Sequence, residues 1–112
     1  MRVGFEGLAE FDAEAVMRAI RSDLRPVNAA SRDLLSAAGE DVEARLEKVG
    51  VIPIGGAVIT PAGALPSTFM VHVVVMSDTD PRTPATISKA LQNGLRRASD
   101  WELPSLAVPR WG

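Results

Sequence analysis

Residues 55–75 read Gly55-Gly-Ala-Val-Ile-Thr-Pro-Ala-Gly-Ala-Leu-Pro-Ser-Thr-Phe-Met-Val-His-Val-Val-Val75, two apolar runs around a turn rich in Gly and Pro. Ala57 to Thr60 and Phe69 to Met76 are predicted strands. The second is apolar on both parities, with Met70 and Val74 on one and Val71, Val73 and Val75 on the other. A strand that can face water on neither side is one covered by helices on both faces, which points to a layered α/β fold.

Working outward, Thr83-Pro84 predicts a helix start, with Thr83 as N-cap and Pro84 at the first position, where a missing N–H does no harm. Its inward face is Ile87, Ala90, Leu91, Gly94, Leu95 and Ala98. Ser105 to Val108, bounded by Pro104 and Pro109, is a short final strand. Upstream, Ala29 to Val49 is predicted helical. Leu35, Ala38, Val42, Leu46 and Val49 recur at steps of three and four, Gly39 is a break within it, and Gly50 is its stop. Arg2 to Phe5 and Ala15 to Ile20 are the first two strands, and Arg25-Pro26 closes the turn after the second. The order β-β-α-β-β-α-β predicts a single three-layer α/β/α domain over residues 1–112, with a mixed, mostly parallel sheet.

Composition narrows the function classes. Twelve Lys and Arg against 14 Asp and Glu leave a formal charge of −2, so no overall basic field draws the chain to nucleic acid. No run of about 20 apolar residues is present for a membrane span. Without cysteine there is no disulfide, thiolate ligand or Cys nucleophile, and the single histidine rules out a two-His metal site. The expectation is a cytoplasmic domain with no cofactor, no metal and no nucleic-acid or membrane partner.

His72 lies inside the most apolar strand and reads as a core or sheet-end histidine with one satisfied nitrogen. Arg18, Arg21, Arg25 and Arg32 bracket the loop after the second strand. If that strand runs parallel to its neighbours, the loop lies at the carboxyl edge of the sheet, where open α/β sheets bind ligands. Guanidinium groups there favour a phosphate or carboxylate through bidentate, charge-assisted bonds. Ordinary solvated pairing with Asp23 or Asp33 explains the same residues. Val27-Asn-Ala-Ala-Ser31 leads into the helix, where backbone N–H groups near Asn28, Ala30 and Ser31 can cradle an anion. Asn28 or Ser31 acting as N-cap is the alternative.

From about Ala37 to Gly112 the chain resembles the macro domain family, and less closely before that. Ile54-Gly-Gly-Ala-Val-Ile-Thr-Pro-Ala-Gly63 with Leu65-Pro66, the strand Phe69-Met-Val-His-Val-Val74, Leu95-Arg-Arg-Ala98 and Ser105-Leu-Ala-Val-Pro109 follow the family's order and spacing. The resemblance implies binding of ADP-ribose or a related nucleotide. The family's ligand contacts are largely replaced. Where it has a "GDI" turn, this chain has Glu6-Gly7-Leu8-Ala9, making Leu8 the candidate there. Where its "VNAAN" strand end offers an Asn to the distal ribose, Arg21 stands instead. Val27 to Ser31 falls on the family's glycine-rich diphosphate loop and carries none of those glycines. The chain stops at Trp111-Gly112, where a second glycine-rich loop would begin, so Gly112 is the last candidate contact. The resemblance also implies a missing strand beside the first, which predicts an unpaired first strand and either reduced stability or a homodimer covering the gap. The leading expectation is therefore a divergent, C-terminally truncated nucleotide-binding module. The alternatives are a structural or interaction domain without ligand and, third, an ADP-ribosyl hydrolase or phosphatase.

Overall fold

A computed structural model describes residues 1–4 and 13–108. Its elements are β1 (Arg2–Gly4), β2 (Ala15–Arg21), α1 (Ala29–Ala38), α2 (Glu40–Val49), β3 (Ala57–Pro61), β4 (Phe69–Met76), α3 (Pro84–Asp100) and β5 (Ser105–Ala107). The sheet order is β1-β5-β2-β4-β3, parallel throughout except for β3, which runs antiparallel to β4. The expected mixed, mostly parallel sheet between helical layers is what forms.

Strand alternation sends each parity of the two central strands to a different layer. Ala15, Met17 and Ala19 of β2 and Val71, Val73 and Val75 of β4 pack under α3 with Ala90 and Ala98. Val16 and Met70 pack under α1 and α2 with Leu34, Ala38, Val42 and Leu46, and beyond them Ile20 and Val74 meet Ile52. Between those two apolar groups, on the same face, lie Arg18 and His72, paired in register and fully buried.

Thr83 caps α3 as expected, its hydroxyl accepting the Thr86 N–H at 3.1 Å while the Thr86 hydroxyl accepts the Thr83 N–H at 2.9 Å. Gly39 divides the upstream helix, with φ of 101°. That break re-phases α1, so Leu34 is buried and Leu35 only half-buried, and Val49 at the end of α2 is exposed.

One expectation is overturned. β1 is not without a neighbour: Arg2, Val3 and Gly4 pair with Ser105, Leu106 and Ala107 of β5. The other edge of β5 pairs with β2 through Ala15↔Leu106 and Val16↔Ala107. A three-residue strand with both edges free can join two neighbours at once, so β5 closes the gap within the chain. The Val108 N–H extends that ladder to the Gly4 carbonyl at 2.7 Å.

Candidate functional site

The parallel strands β2 and β4 end together, and the loops that follow them meet at the carboxyl edge of the sheet. Register slips between Ile20 and Arg21, so Arg21 pairs with Met76 rather than Val75. A bulge of this kind re-aims a side chain at the end of a strand. A tight turn follows: the Arg21 N–H donates to the Arg25 carbonyl, the Leu24 N–H to the Arg21 carbonyl and the Ser22 N–H to the Met76 carbonyl, all at 2.8 Å. Leu24 holds φ of 73°, the left-handed region that a branched residue seldom adopts. The Ser22 hydroxyl donates to the Ile52 carbonyl, tying this turn to the segment after α2.

The Arg21 guanidinium, about one-third exposed, donates through Nη2 to Asp78 Oδ1, and its Nε lies 3.4 Å from Asp23 Oδ1. Arg25 is exposed, with its Nε 3.9 Å from Asp23 Oδ2. Arg32 lies 3.9 Å from Asp33 on the outer face of α1. Asn28 is the N-cap of α1, its Oδ1 accepting the Ser31 N–H at 2.9 Å. The first-turn amides of Ala29 and Ala30 have no intrahelical acceptor available to them, and both residues are exposed. A cavity of about 400 Å³ lies behind the loop, lined by Asp23 and Arg25 and walled by Leu24, Pro26, Leu35 and Leu46.

Arg18 belongs elsewhere. It sits in mid-strand, three residues short of the edge, and corrects the expectation that it joins the loop cluster. Its Nε contacts the Ser31 hydroxyl at 3.2 Å and the Ser31 carbonyl at 3.3 Å, and its Nη1 donates to His72 Nδ1 at 2.9 Å. Because an arginine can only donate, Nδ1 is the acceptor and the imidazole proton is on Nε2. That proton points to Thr60 Oγ1 at 2.8 Å, and the Thr60 hydroxyl donates onward to the Pro61 carbonyl at 3.0 Å. Both nitrogens of His72 are therefore engaged, where one was expected. Burial, then the adjacent Arg18 charge, pushes its pKa down to about 3. Burial lowers that of Arg18 to about 10, opposed by Glu43, so the guanidinium stays charged at neutral pH. Ser31 also donates to the Ala19 carbonyl at 2.6 Å, which pins the start of α1 to β2.

Of the residues expected to touch a ligand, Arg21, Arg25, Asn28 and Ala30 gather around the loop and the helix start. Ser31 is buried beneath them with its hydroxyl committed to Arg18 and Ala19. Leu8 and Gly112 lie outside the described residues. Asp78, missed in the sequence, arrives through the loop after β4. Its only signal was the acidic Ser77-Asp-Thr-Asp80 run directly after a buried strand. Among the described residues no group of three His, Asp or Glu could hold a metal ion, and no helix is long and apolar enough to cross a membrane.

A mixed sheet between helical layers, with an arginine-bearing loop and a helix start at its carboxyl edge, defines a three-layer α/β/α domain. Residues 18–112 match the macro domain family, and the chain belongs to it. An uncharacterized protein of Aeropyrum pernix is 32% identical over 113 residues, matching all of this chain and 60% of its own length. One from Sulfurisphaera tokodaii is 28% identical over 91% of this chain and 58% of its own. The chain thus spans about three-fifths of the length of these two relatives. Among solved structures, the Oceanobacillus iheyensis macrodomain with ADP superposes with a TM-score of 0.77 at 19% identity, covering 96% of this chain and 61% of that one. The macro domain of ganglioside induced differentiation associated protein 2 gives 0.77 at 20% identity, covering 95% and 54%.

Proposed function

We propose that this chain binds ADP-ribose or a related nucleotide or phosphorylated small molecule at the carboxyl edge of its parallel strands. The observation that carries the reading is the cationic turn at that edge, Arg21 at the end of β2 and Arg25 four residues on, in a chain of the macro domain family. That a macrodomain of the same fold was solved with ADP supports the ligand class. In this reading Arg21 and Arg25 hold phosphate oxygens by charge-assisted bonds. The Ala29 and Ala30 amides offer N–H groups at the positive end of α1, with Asn28 and Ser31 fixing the helix start. Leu8 and Gly112 join the site through the family resemblance alone. A cytoplasmic setting belongs to the same reading; a homodimer, no longer called for by an unpaired β1, is checked separately by sedimentation.

Calorimetric titration with ADP-ribose, ADP and inorganic phosphate is the test. Heat from ADP-ribose that is lost in Arg21→Ala, Arg25→Ala supports the reading, and silence from all three at millimolar ligand refutes it. The pairing of both arginines with Asp23 and Asp78 favours a second reading, a structural or interaction domain without ligand. In that case the double variant changes no ligand response.

A further inference from the structure

We infer that Asp78 is an internal latch on the candidate site, a carboxylate that occupies Arg21 until a phosphate or diphosphate group displaces it. The inference rests on the nucleotide-binding reading and concerns how that site is regulated. Three observations carry it. First, Arg21 bridges the ends of two strands: it leaves β2 at the bulge, and its Nη2 bonds Asp78, two residues past the end of β4. Second, Arg21 Nε is buried and makes no hydrogen bond, although Asp23 Oδ1 lies only 3.4 Å away. A buried guanidinium N–H left unbonded is a donor still available to a better-placed acceptor. Third, the loop that carries Asp78 closes on itself without Arg21. The Ser77 N–H donates to the Asp80 carbonyl at 2.9 Å, and the Asp80 N–H to the Ser77 hydroxyl at 3.1 Å.

Asp78 is mostly exposed, so its side chain can swing into water while the turn beneath it stays intact. With Asp78 on Arg21 and Asp23 shared between Arg21 and Arg25, the empty edge sets two carboxylates against two guanidiniums, so its pull on an incoming anion is cancelled until a carboxylate is displaced. A monoanionic carboxylate gains little by replacing Asp78. A diphosphate presents several oxygens with more charge, enough to reach Nη2 and the unbonded Nε together. The latch therefore selects for polyanionic ligands and holds their affinity below what Arg21 alone would give.

The test is calorimetric titration of ADP-ribose and of inorganic pyrophosphate into wild type, Asp78→Asn, Arg21→Gln and the double variant, each first checked for an unchanged melting temperature. Removing an exposed competing pair is expected to tighten both ligands about two- to fivefold in Asp78→Asn. In the Arg21→Gln background the same change is expected to have little effect. Binding seen only in Asp78→Asn supports the latch equally. Equal affinity in wild type and Asp78→Asn overturns the latch and leaves the binding reading standing. Tightening that persists without Arg21 also overturns it, since the effect is then general charge. Silence from every variant overturns both. If Arg21→Gln fails to fold, Arg21→Met, which keeps the apolar stem and removes the charge, takes its place in the cycle.

Discussion

Replacing His72 with Leu probes the buried row Ser31–Arg18–His72–Thr60, a polar row that crosses the sheet beneath α1 and α2. Leu fills most of the imidazole's volume, so the cavity contribution is small and the electrical one dominates. The change leaves Arg18 Nη1 without the acceptor it meets at 2.9 Å, and Arg18 Nη2 already makes no hydrogen bond. Losing a bond to a charged group costs about 1.5–3 kcal/mol, and stripping the partner from a buried charge about 3–5 kcal/mol. The apolar area gained by Leu returns roughly 1 kcal/mol, so His72→Leu is expected to destabilise by about 2–4 kcal/mol. That is a large share of the roughly 5–15 kcal/mol of a domain this size.

Arg18→Met behaves differently. It strands neutral acceptors alone, chiefly His72 Nδ1 along with the Ser31 oxygens that Nε meets, and removes a charge that burial opposes, in line with its pKa lowered to about 10. The expected loss is about 1–2 kcal/mol. In the double variant the stranded charge and the stranded acceptor are both gone, and Thr60 keeps its bond to Pro61. The double is therefore expected to be more stable than His72→Leu alone, with a coupling of about 2 kcal/mol. Urea unfolding followed by circular dichroism measures all three. A loss below about 0.5 kcal/mol in His72→Leu, or simple addition in the double, would refute the argument that Arg18 depends on His72.

The same histidine gives stability a pH dependence. Its folded pKa of about 3 lies below its ordinary 6.5, so between those values the unfolded chain binds the extra proton and stability rises with pH. The contribution is complete above about pH 6.5 and is lost as pH falls toward 3; acid titration of unfolding should show this slope in wild type and not in His72→Leu. Gly63 has φ of 61°, and a Cβ there would sit 2.1 Å from the Ala38 carbonyl oxygen. Gly63→Ala is expected to cost at least about 2 kcal/mol in urea midpoint, because backbone must move to admit it. Gly94→Ala gains about 1 kcal/mol of helix propensity. Its Cβ would lie 2.7 Å from Val73 Cγ1 and 2.6 Å from Met17 Cε, and overpacking of about 1–3 kcal/mol outweighs the gain, so the melting temperature should fall. Thr83→Ala removes the N-cap of α3 and should lower stability by about 1 kcal/mol without shifting ligand response.

What could be read from the chain, and what could not, divides by the range of the interaction. The strand Phe69–Met76, apolar on both parities but for His72, the Thr83-Pro84 start and the Gly39 break are local statements, since periodicity, capping and φ involve residues within a turn or two. Arg21 and Arg25 were legible for the same reason, as charges beside a turn that Pro26 closes. Arg18 was not. On its parity of the strand, Val16, Arg18 and Ile20, one residue in three is charged, and that pattern alone could not distinguish a solvated arginine from a buried one. Its burial is decided by Ser31, 13 residues away, and His72, 54 away. Those partners come together only once β2 and β4 pair in the register that sets Arg18 opposite His72. Thr60 then takes the next place in the row, because β3 pairs antiparallel to β4 with Val58 opposite His72 and Thr60 opposite Met70. The usable sequence signal was joint rather than individual: a lone arginine and a lone histidine, each inside an otherwise apolar strand of a sheet covered on both faces. Neither can be buried stably alone, since each needs a hydrogen-bonding partner in a medium that penalises its absence. Two unexplained polar residues in neighbouring buried strands are best read as partners of each other. That inference also explains why the proposed ligand edge carries Arg21 and not Arg18: the inner arginine is held by its own sheet, and the outer one, past the bulge, faces the loops.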